Sequence, residues 1–512
     1  MKLDKSNEKI HLGGQRLRKL HAEELVRLCH SDVKKEFKSA NDLLIINYAH
    51  VIMLYEQNLL KQDETKKILE ILKELEREGI ENKIKLDWYK GDLTTSLEAY
   101  IIKKSNIDIG GRINTGRSRS DTFATLEKMD IRKNLIEIYD KLVSLEENLL
   151  FISQKNIETV MPGYTHHSKQ AQPITLGFFL LGNFDVFLRE IERIEDLWKR
   201  LNKCPMGSAA LATTGFNIDR WLIASMLGFD GIHEHAYDAI SSKDLILEYL
   251  FILSSIASDL GRISESFLLW NSLEFGMIEL NDAFTSFSSI MPQKKNAVSL
   301  EALRAFNTII TGKLINAFGL LKAEPWSYGR ELVIMTDDYS DAGNRVIDML
   351  MLFSGLLKTA KFNKKRMFEL ANEGFSTATE LADVLVREYN IPFRAAHQVV
   401  GLIIKKAIDQ GVYSSQINSQ MVEQSIEECL GKSVFIEPAH VKNALNPSVN
   451  VSVRCIFGGT APVEVDRMIK NRNEQVKQKH IFLNQKRTQL ADIHHKLSMK
   501  VDQVITGEVS NA

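Results

Sequence analysis

The stretch DAISSKDLILEYLFILSSIASDLGRISESFLLWNSL, residues Asp238–Leu273, decides the fold class. Its apolar residues recur every three or four positions, the spacing that places them on one face of an α-helix. Two other stretches, Ile174–Asn202 and Val298–Leu321, share this spacing and complete the three longest helical patterns of the chain. Only nine prolines occur in 512 residues, so few positions would break such helices. We therefore predict an all-α protein with a central bundle of long helices.

The length of these patterns also bears on assembly and domain organisation. A helix of about 30 residues spans roughly 45 Å, more than the width of most single domains, so we expect the bundle to pack against other subunits. Shorter patterns, Asp42–Leu60 and Glu64–Glu78, precede it, and short helices alternate with loops after residue 365. We predict domains at 1–115, 116–365 and 366–512. The Lys- and Gln-rich segment Ile469–Lys500 is interpreted as a solvated helix rather than a basic binding arm.

Composition narrows the function classes. The chain has 65 Lys and Arg against 66 Asp and Glu, a formal net charge of -1, which disfavours a nucleic-acid partner. No stretch approaches the roughly 20 apolar residues that cross a bilayer, and the N-terminus from Met1 to Lys5 shows no signal core. The four cysteines are far apart and predict reduced thiols. We expect a cytoplasmic protein without a membrane partner.

Three polar stretches between the helical patterns are candidates for chemistry. They are GGRINTGRSRSDT (Gly110–Thr122), MPGYTHHSKQAQP (Met161–Pro173) and SFSSIMPQKKN (Ser286–Asn296). The first holds Arg112, Arg117 and Arg119, whose guanidinium groups could bind the carboxylates of an anionic substrate. These arginines could equally cap helix ends or pair with Asp121.

The third stretch places Ser288 and Ser289 a few residues before Lys294 and Lys295. Nearby positive charge favours the alkoxide form that a serine needs in order to act as a base. A flexible surface loop with solubilising lysines has the same composition, so the residues alone leave both interpretations open.

Read together, these stretches and three more resemble the argininosuccinate lyase family of the fumarase/aspartase superfamily, in order and nearly along the whole chain. The additional stretches are GSAALATTGFNIDR (Gly207–Arg220), GFSTATELADVLV (Gly374–Val386) and GGTAPVEV (Gly458–Val465), and the third polar stretch extends to Arg304. The resemblance implies three mainly helical domains and a homotetramer with a twenty-helix core. It also implies active sites built from three subunits each, with no cofactor and a small dicarboxylate or amino-acid substrate.

The family reaction removes a proton from the carbon beside a carboxylate and then expels an amine from the neighbouring carbon, which yields fumarate. By motif position, Ser288 would be the general base, and Lys294 with Asn296 would hold the doubly charged aci-carboxylate. His166 and Glu301 match the family's histidine–carboxylate pair, which could protonate the departing nitrogen. The neighbouring His167 has no assigned role.

The remaining substrate contacts implied by the resemblance are Ser118, Arg119, Ser120, Thr165 and Tyr328. Several positions depart from the family pattern, mainly on the amine side. Val333 and Thr336 stand where the family has Gln and Lys, and Lys243 replaces an Arg. Ser120 replaces an Asn, and Phe287 replaces the glycine before the paired serines.

The sequence therefore predicts a carbon–nitrogen lyase that releases fumarate from an N-substituted aspartate, with argininosuccinate as the default substrate. Two alternatives stay open. One is a lyase for a different N-substituted aspartate in a specialised pathway, and the other is a non-catalytic homologue kept for binding or structure. No metal site is predicted, because His233-Glu234-His235 and His494-His495 lack further ligands at zinc spacing.

Overall fold

The computed structural model describes residues 22–29, 36–86, 91–322 and 324–507 of the chain. The N-terminal residues from Met1 to Lys5, on which the absence of a signal was predicted, lie outside this range. The helices are α1 Glu23–Cys29, α2 Ala40–Glu56, α3 Gln62–Glu78, α4 Ile80–Lys83, α5 Leu93–Lys104, α6 Ile107–Gly110, α7 Arg119–Gln154, α8 Leu176–Leu201, α9 Arg220–Met226, α10 Ala236–Ser241, α11 Asp244–Trp270, α12 Val298–Leu321, α13 Arg330–Thr359, α14 Lys364–Glu373, α15 Ala378–Tyr389, α16 Phe393–Asp409, α17 Ser419–Leu430, α18 Pro438–Ala444, α19 Pro447–Ser452 and α20 Pro462–Thr506. Short 3₁₀ helices occupy Asp282–Phe284 and Ser414–Gln416.

The strands of the described residues are few and form three antiparallel pairs. They are β1 Val160–Thr165 with β2 Lys169–Thr175, β3 Ile278–Glu279 with β6 Lys361–Phe362, and β4 Ser286–Phe287 with β5 Lys295–Asn296. The predicted all-α class is confirmed.

The central bundle consists of α7, α8, α11, α12 and α13, which alternate in direction. Helix α8 runs antiparallel to α11, since Arg200 near the end of α8 pairs with Glu248 near the start of α11. Helix α12 runs antiparallel to α13, since Lys313 in its second half pairs with Asp338 in the first third of α13. Helices α7 and α13 run in parallel, and Asn148 near the end of α7 donates to Ser354.

This alternation gives the bundle two ends that carry different loops. The starts of α7, α11 and α13 lie at one end, which we call the Arg119 end. The β1–β2 hairpin, the β4–β5 pair and the start of α12 lie at the other, which we call the hairpin end. The Ser299 hydroxyl donates to the Phe284 carbonyl at 2.7 Å, which ties the first turn of α12 to the segment before β4.

Helix α7 is longer than α8, α11 and α12, the main helices observed in the three predicted patterns. It has 36 residues, and α13 and α20 have 30 and 45, so the ranking of the longest helices was wrong. The apolar spacing of α7 is weak because the helix is buried on several sides: Met129, Val143 and Leu145 point in different directions and are all inaccessible to solvent. Its start is fixed by a capping box in which Ser118 and Asp121 satisfy each other's backbone N–H groups.

The three predicted long helices are observed with two adjustments. Val298–Leu321 is α12 as predicted, and Ile174–Asn202 is α8 with its first two residues in β2. The pattern Asp238–Leu273 is divided between α10 and α11, because Ser242 and Lys243 leave the helical conformation between them.

The segment Ile469–Lys500 is helical and largely exposed, as predicted, but one of its faces is buried. This segment belongs to α20, which buries Ile469, Val476, Leu483 and Leu497 along one face. Its polar face is tied down as well, since Lys479 pairs with Glu195 on α8 at 3.0 Å. The sequence of this segment is mostly polar because only one stripe along the helix is apolar.

Three large hydrophobic cores lie along the described part of the chain, beside a small cluster of Val160, Ala371 and Val451. The largest fills the bundle, a second is formed chiefly by α2, α3 and α5, and the third lies among α15–α18. Cys204, Met206 and Phe229 pack into the second core although they follow α8 in the chain. The domain boundaries near 115 and 365 remain a prediction. None of the described helices is both long and apolar enough to span a bilayer.

Candidate active site

Asp121 organises the Arg119 end of the bundle. Its buried carboxylate accepts N–H bonds from Ser118 at 3.0 Å, Gly207 at 3.0 Å and Ala209 at 2.9 Å. Burial raises the pKa of Asp121 to about 6, and the three amides oppose that shift. The carboxylate therefore fixes the segment Gly207–Arg220 against the first turn of α7, where Ser118, Arg119 and Ser120 lie.

The three arginines of the first polar stretch have different environments. Arg117 is enclosed and donates to the side-chain oxygen of Asn47 at 2.7 Å, so it serves the protein interior. Arg112 donates to the carbonyl of Asp108 at 2.8 Å. Arg119 is 62% exposed and pairs with Asp92 at 2.8 Å. Arg117 therefore has a structural role, whereas Arg119 keeps most of its side chain at the surface although it pairs with Asp92.

Tyr328 lies beside Arg119 at the same end. Its ring stacks on Phe123, with centroids 6.5 Å apart and planes at 9°. Burial raises the pKa of the Tyr328 hydroxyl, with the Asp92 carboxylate acting in the same direction and Arg119 against it. Ser118, Arg119, Ser120 and Tyr328 therefore form one group of predicted site residues.

Two polar pairings that the sequence did not reveal shape this end. Lys243 donates to both carboxylate oxygens of Glu127, at 2.8 and 2.7 Å, and both side chains are almost completely buried. His233 contacts Asp238 at 2.7 Å and the ammonium of Lys128 at 3.2 Å, which occupies both ring nitrogens. Helix spacing does not reveal the contacts of Lys243 with Glu127 and of His233 with Lys128, because these partners are 116 and 105 positions apart in the chain.

At the hairpin end, Thr165 and His166 lie where β1 turns into β2. Thr165 pairs with Lys169, and the turn between them places His166 at φ 44° and His167 at φ 67°. Left-handed backbone is costly for residues other than glycine. Two adjacent histidines held in this conformation project from an exposed loop, and His167 lines a cavity of about 360 Å³ with Tyr164 and Trp270.

The third group lies on the loop between β4 and β5, residues 286–296, which we call the Ser288 loop. The Ser288 hydroxyl oxygen accepts an N–H bond from Met291 at 3.0 Å. Lys294 is exposed, Asn296 pairs with Ser286 across the two strands, and Glu301 is exposed in the first turn of α12. Phe287 is 87% exposed, so its ring does not fill the interior of this subunit.

The predicted site residues thus fall into two groups at opposite ends of the helical bundle of one subunit. Ser118 begins α7 and the hairpin follows its end, and a straight helix of 36 residues is about 54 Å long. Arg119 and His166 are consequently too far apart to touch one substrate molecule in a single subunit. Among the described residues, no cluster of His, Cys, Asp or Glu has the arrangement of a metal site.

Comparison with known proteins identifies the family. The sequence model of the family described as Lyase matches residues 24–312, and that described as Argininosuccinate lyase C-terminal matches residues 375–452. The argininosuccinate lyase of Methanocaldococcus jannaschii is 40% identical over 85% of this chain and 88% of its own length. The enzyme of that name from Methanococcus maripaludis is 38% identical over the same shares. The chain belongs to the argininosuccinate lyase family.

Solved structures agree with the argininosuccinate lyase family assignment. EDDS lyase in complex with formate and an EDDS lyase variant with bound fumarate each have a TM-score of 0.86 and 28% identity. Each superposition covers 96% of this chain and 98% of theirs. A class II fumarase from Schistosoma mansoni shares the fold, with a TM-score of 0.67 and 14% identity. The predicted enzyme class is confirmed: the chain is a carbon–nitrogen lyase that releases fumarate from an N-substituted aspartate.

Proposed function

We propose that this lyase works as a homotetramer whose active sites combine the Arg119 end of one subunit with the hairpin end and Ser288 loop of others. The separation of the two groups by the length of α7 carries this proposal, because the reaction needs carboxylate anchors and proton-transfer groups around one small molecule. Substrate reaches both groups only where subunits meet.

The surface of α12 supports this assembly. Of its 24 residues, only Ser299, Leu300, Leu303, Ile310 and Ala317 are buried in the isolated chain. Ile309, Ile315 and Phe318 are 46%, 66% and 55% exposed along the same helix. A run of large apolar side chains on a bundle helix is typical of a subunit interface. Neighbouring subunits would cover these side chains.

In this proposal each catalytic residue acts in one step of the elimination. Ser288 removes the proton from the carbon beside the substrate carboxylate, and Lys294 with Asn296 stabilises the resulting aci-carboxylate. Reforming the carboxylate creates the carbon–carbon double bond and breaks the carbon–nitrogen bond. His166, oriented by Glu301, supplies the proton to the departing nitrogen. Ser118, Arg119, Ser120, Thr165 and Tyr328 hold the substrate.

Argininosuccinate is the default substrate, and a different N-substituted aspartate is the second candidate. One observation favours the second. The Lys243 ammonium is buried and bound to both oxygens of Glu127, so it is not presented to the carboxylate of an arginine leaving group. Val333 and Thr336 bring no charged side chain to the amine side.

The proposal is tested by mixing purified protein with argininosuccinate and other N-substituted aspartates, with the ultraviolet absorbance of fumarate as the readout. Ser288→Ala should abolish turnover while substrate binding persists, because the serine acts in the transition state. Ser289→Ala, one residue away, is the matched control and should retain activity. A stable monomer of 58.2 kDa in light scattering would refute the composite site.

A further inference from the structure

A strained turn lies against the first turn of α7. It consists of residues 206–209, and we call it the 206–209 turn. Gly207 has φ 84° and Ala209 has φ 51°, and this left-handed backbone is costly for alanine. A Cβ atom added at position 207 would stand 2.7 Å from Cγ of Arg220, so the turn is also closely packed. Strained backbone persists only where surrounding groups hold it in place, and it is most frequent at functional sites.

Arg220 holds the shape of the 206–209 turn. Its guanidinium donates to the Met206 carbonyl at 3.3 Å and to the Ser208 hydroxyl at 3.0 Å. It also donates to the carbonyls of His233 at 2.6 Å and Glu234 at 3.1 Å. These four partners all lie within residues 206–234, so the bonds shape the turn without tying it to α7.

Asp121 makes the tie to α7. One carboxylate oxygen accepts the N–H groups of Gly207 and Ala209, and the other accepts that of Ser118. The side chain is inaccessible to solvent, and a carboxylate is costly to bury unless its oxygens are satisfied. Arg119 stands two residues earlier, on roughly the opposite side of the helix, where it reaches the surface. One helical turn therefore carries the tie on one side and the proposed substrate anchor on the other.

The rest of the segment after the turn packs on the loop before α7. A Cβ atom at Gly116 would stand 3.0 Å from the Ile218 side chain and 3.5 Å from that of Thr214. Apolar contacts of this kind set a distance but have no preferred direction. Hydrogen bonds are directional, so the bonds of Asp121 define how the first turn of α7 is oriented.

We propose that Asp121 is a positioning residue for fumarate binding. By holding the 206–209 turn, it would fix the first turn of α7 where Arg119 meets a substrate carboxylate. This inference rests on the proposed role of Arg119 as a carboxylate anchor. In this role Asp121 acts through Arg119, because its own oxygens are enclosed and occupied by three amides.

Calorimetric titration of the assembled enzyme with fumarate tests the proposal. Asp121→Asn keeps the size of the side chain but replaces one acceptor oxygen by an NH₂ group, which cannot accept an amide N–H. We expect the Kd for fumarate to rise about three- to tenfold, the range of one hydrogen bond. Asp219→Asn is the matched control and should keep the wild-type Kd. Asp219 lies in the same segment and accepts the Leu222 N–H at 2.9 Å at the start of α9, a cap that asparagine also provides.

A double variant distinguishes positioning from general loss of structure. If Asp121 acts through Arg119, Asp121→Asn combined with Arg119→Ala should bind fumarate within about twofold of Arg119→Ala alone. A general structural loss would instead weaken binding further in the double variant. Gly207→Ala displaces the turn while Asp121 stays in place, so it answers the same question if Asp121→Asn does not fold. We expect it to raise the Kd in the wild-type background and not in the Arg119→Ala background.

Two results would overturn the positioning role and leave the lyase function intact. One is a Kd that rises in Arg119→Ala but stays at the wild-type value in folded Asp121→Asn, or in Gly207→Ala if Asp121→Asn does not fold. The other is a double variant in which the two effects multiply. An unchanged Kd in Arg119→Ala would overturn both the anchor role of Arg119 and the positioning role of Asp121.

Discussion

Replacing Lys243 by methionine tests whether this residue serves the fold. Its ammonium bridges α7 and the start of α11 by binding both oxygens of Glu127, and the two side chains are 6% and 10% exposed. Lys243→Met leaves a buried carboxylate without a counter-charge. Breaking a buried pair from one side costs about 3–5 kcal/mol, so we expect a loss of that size in the apparent free energy of unfolding.

The double variant Glu127→Gln with Lys243→Met is the decisive companion. Removing both charges avoids the stranded carboxylate, so most of the lost stability should return. Urea denaturation followed by tryptophan fluorescence, at one protein concentration for all variants, measures the difference. If Lys243→Met is as stable as wild type but has a raised KM, Lys243 holds substrate instead. If the double variant is no more stable than Lys243→Met, the ion-pair argument is refuted.

Three further outcomes are expected. Arg119→Ala should weaken fumarate binding in calorimetric titration by roughly tenfold or more, and Arg112→Ala should not, because only Arg119 presents its guanidinium beside Tyr328; equal effects would contradict the assigned register. We expect the Arg119→Ala and Ser288→Ala variants to be inactive alone and to regain about one quarter of wild-type turnover when their subunits are co-assembled at equal amounts. Random assembly restores some sites in which both groups are intact. No recovery would argue against sites shared between subunits. Burial raises the pKa of Glu146 from 4.5 to about 9, so the stability that the protonated side chain contributes is present below pH 4.5 and is lost as pH rises towards 9. Glu146→Gln should therefore make the melting temperature less dependent on pH over that window. Parallel curves of melting temperature against pH for the variant and wild type would contradict the prediction.

Local patterns in the sequence were sufficient for much of the fold and for the family. Apolar spacing placed α12 at Val298–Leu321, because residues three and four apart share a helix face wherever the helix packs. The stretches around Ser288 and Arg119 identified the lyase family for a similar reason, since loop chemistry is carried by contiguous residues. Apolar spacing did not predict the length of α7 or the buried face of α20. Helix α7 packs against neighbours on several sides, and α20 has only one narrow apolar stripe.

Only the tertiary structure decided which side chains serve the interior and which reach the surface. Arg117 and Arg119 lie two residues apart in one polar stretch, yet the first is enclosed beside Asn47 and the second reaches the surface. The pairing of Lys243 with Glu127 joins residues 116 positions apart, and the placement of Ser288 and Arg119 at opposite ends follows from the direction in which each helix runs. Spacing along the chain encodes contacts within one helix, whereas these relations depend on how separate helices pack.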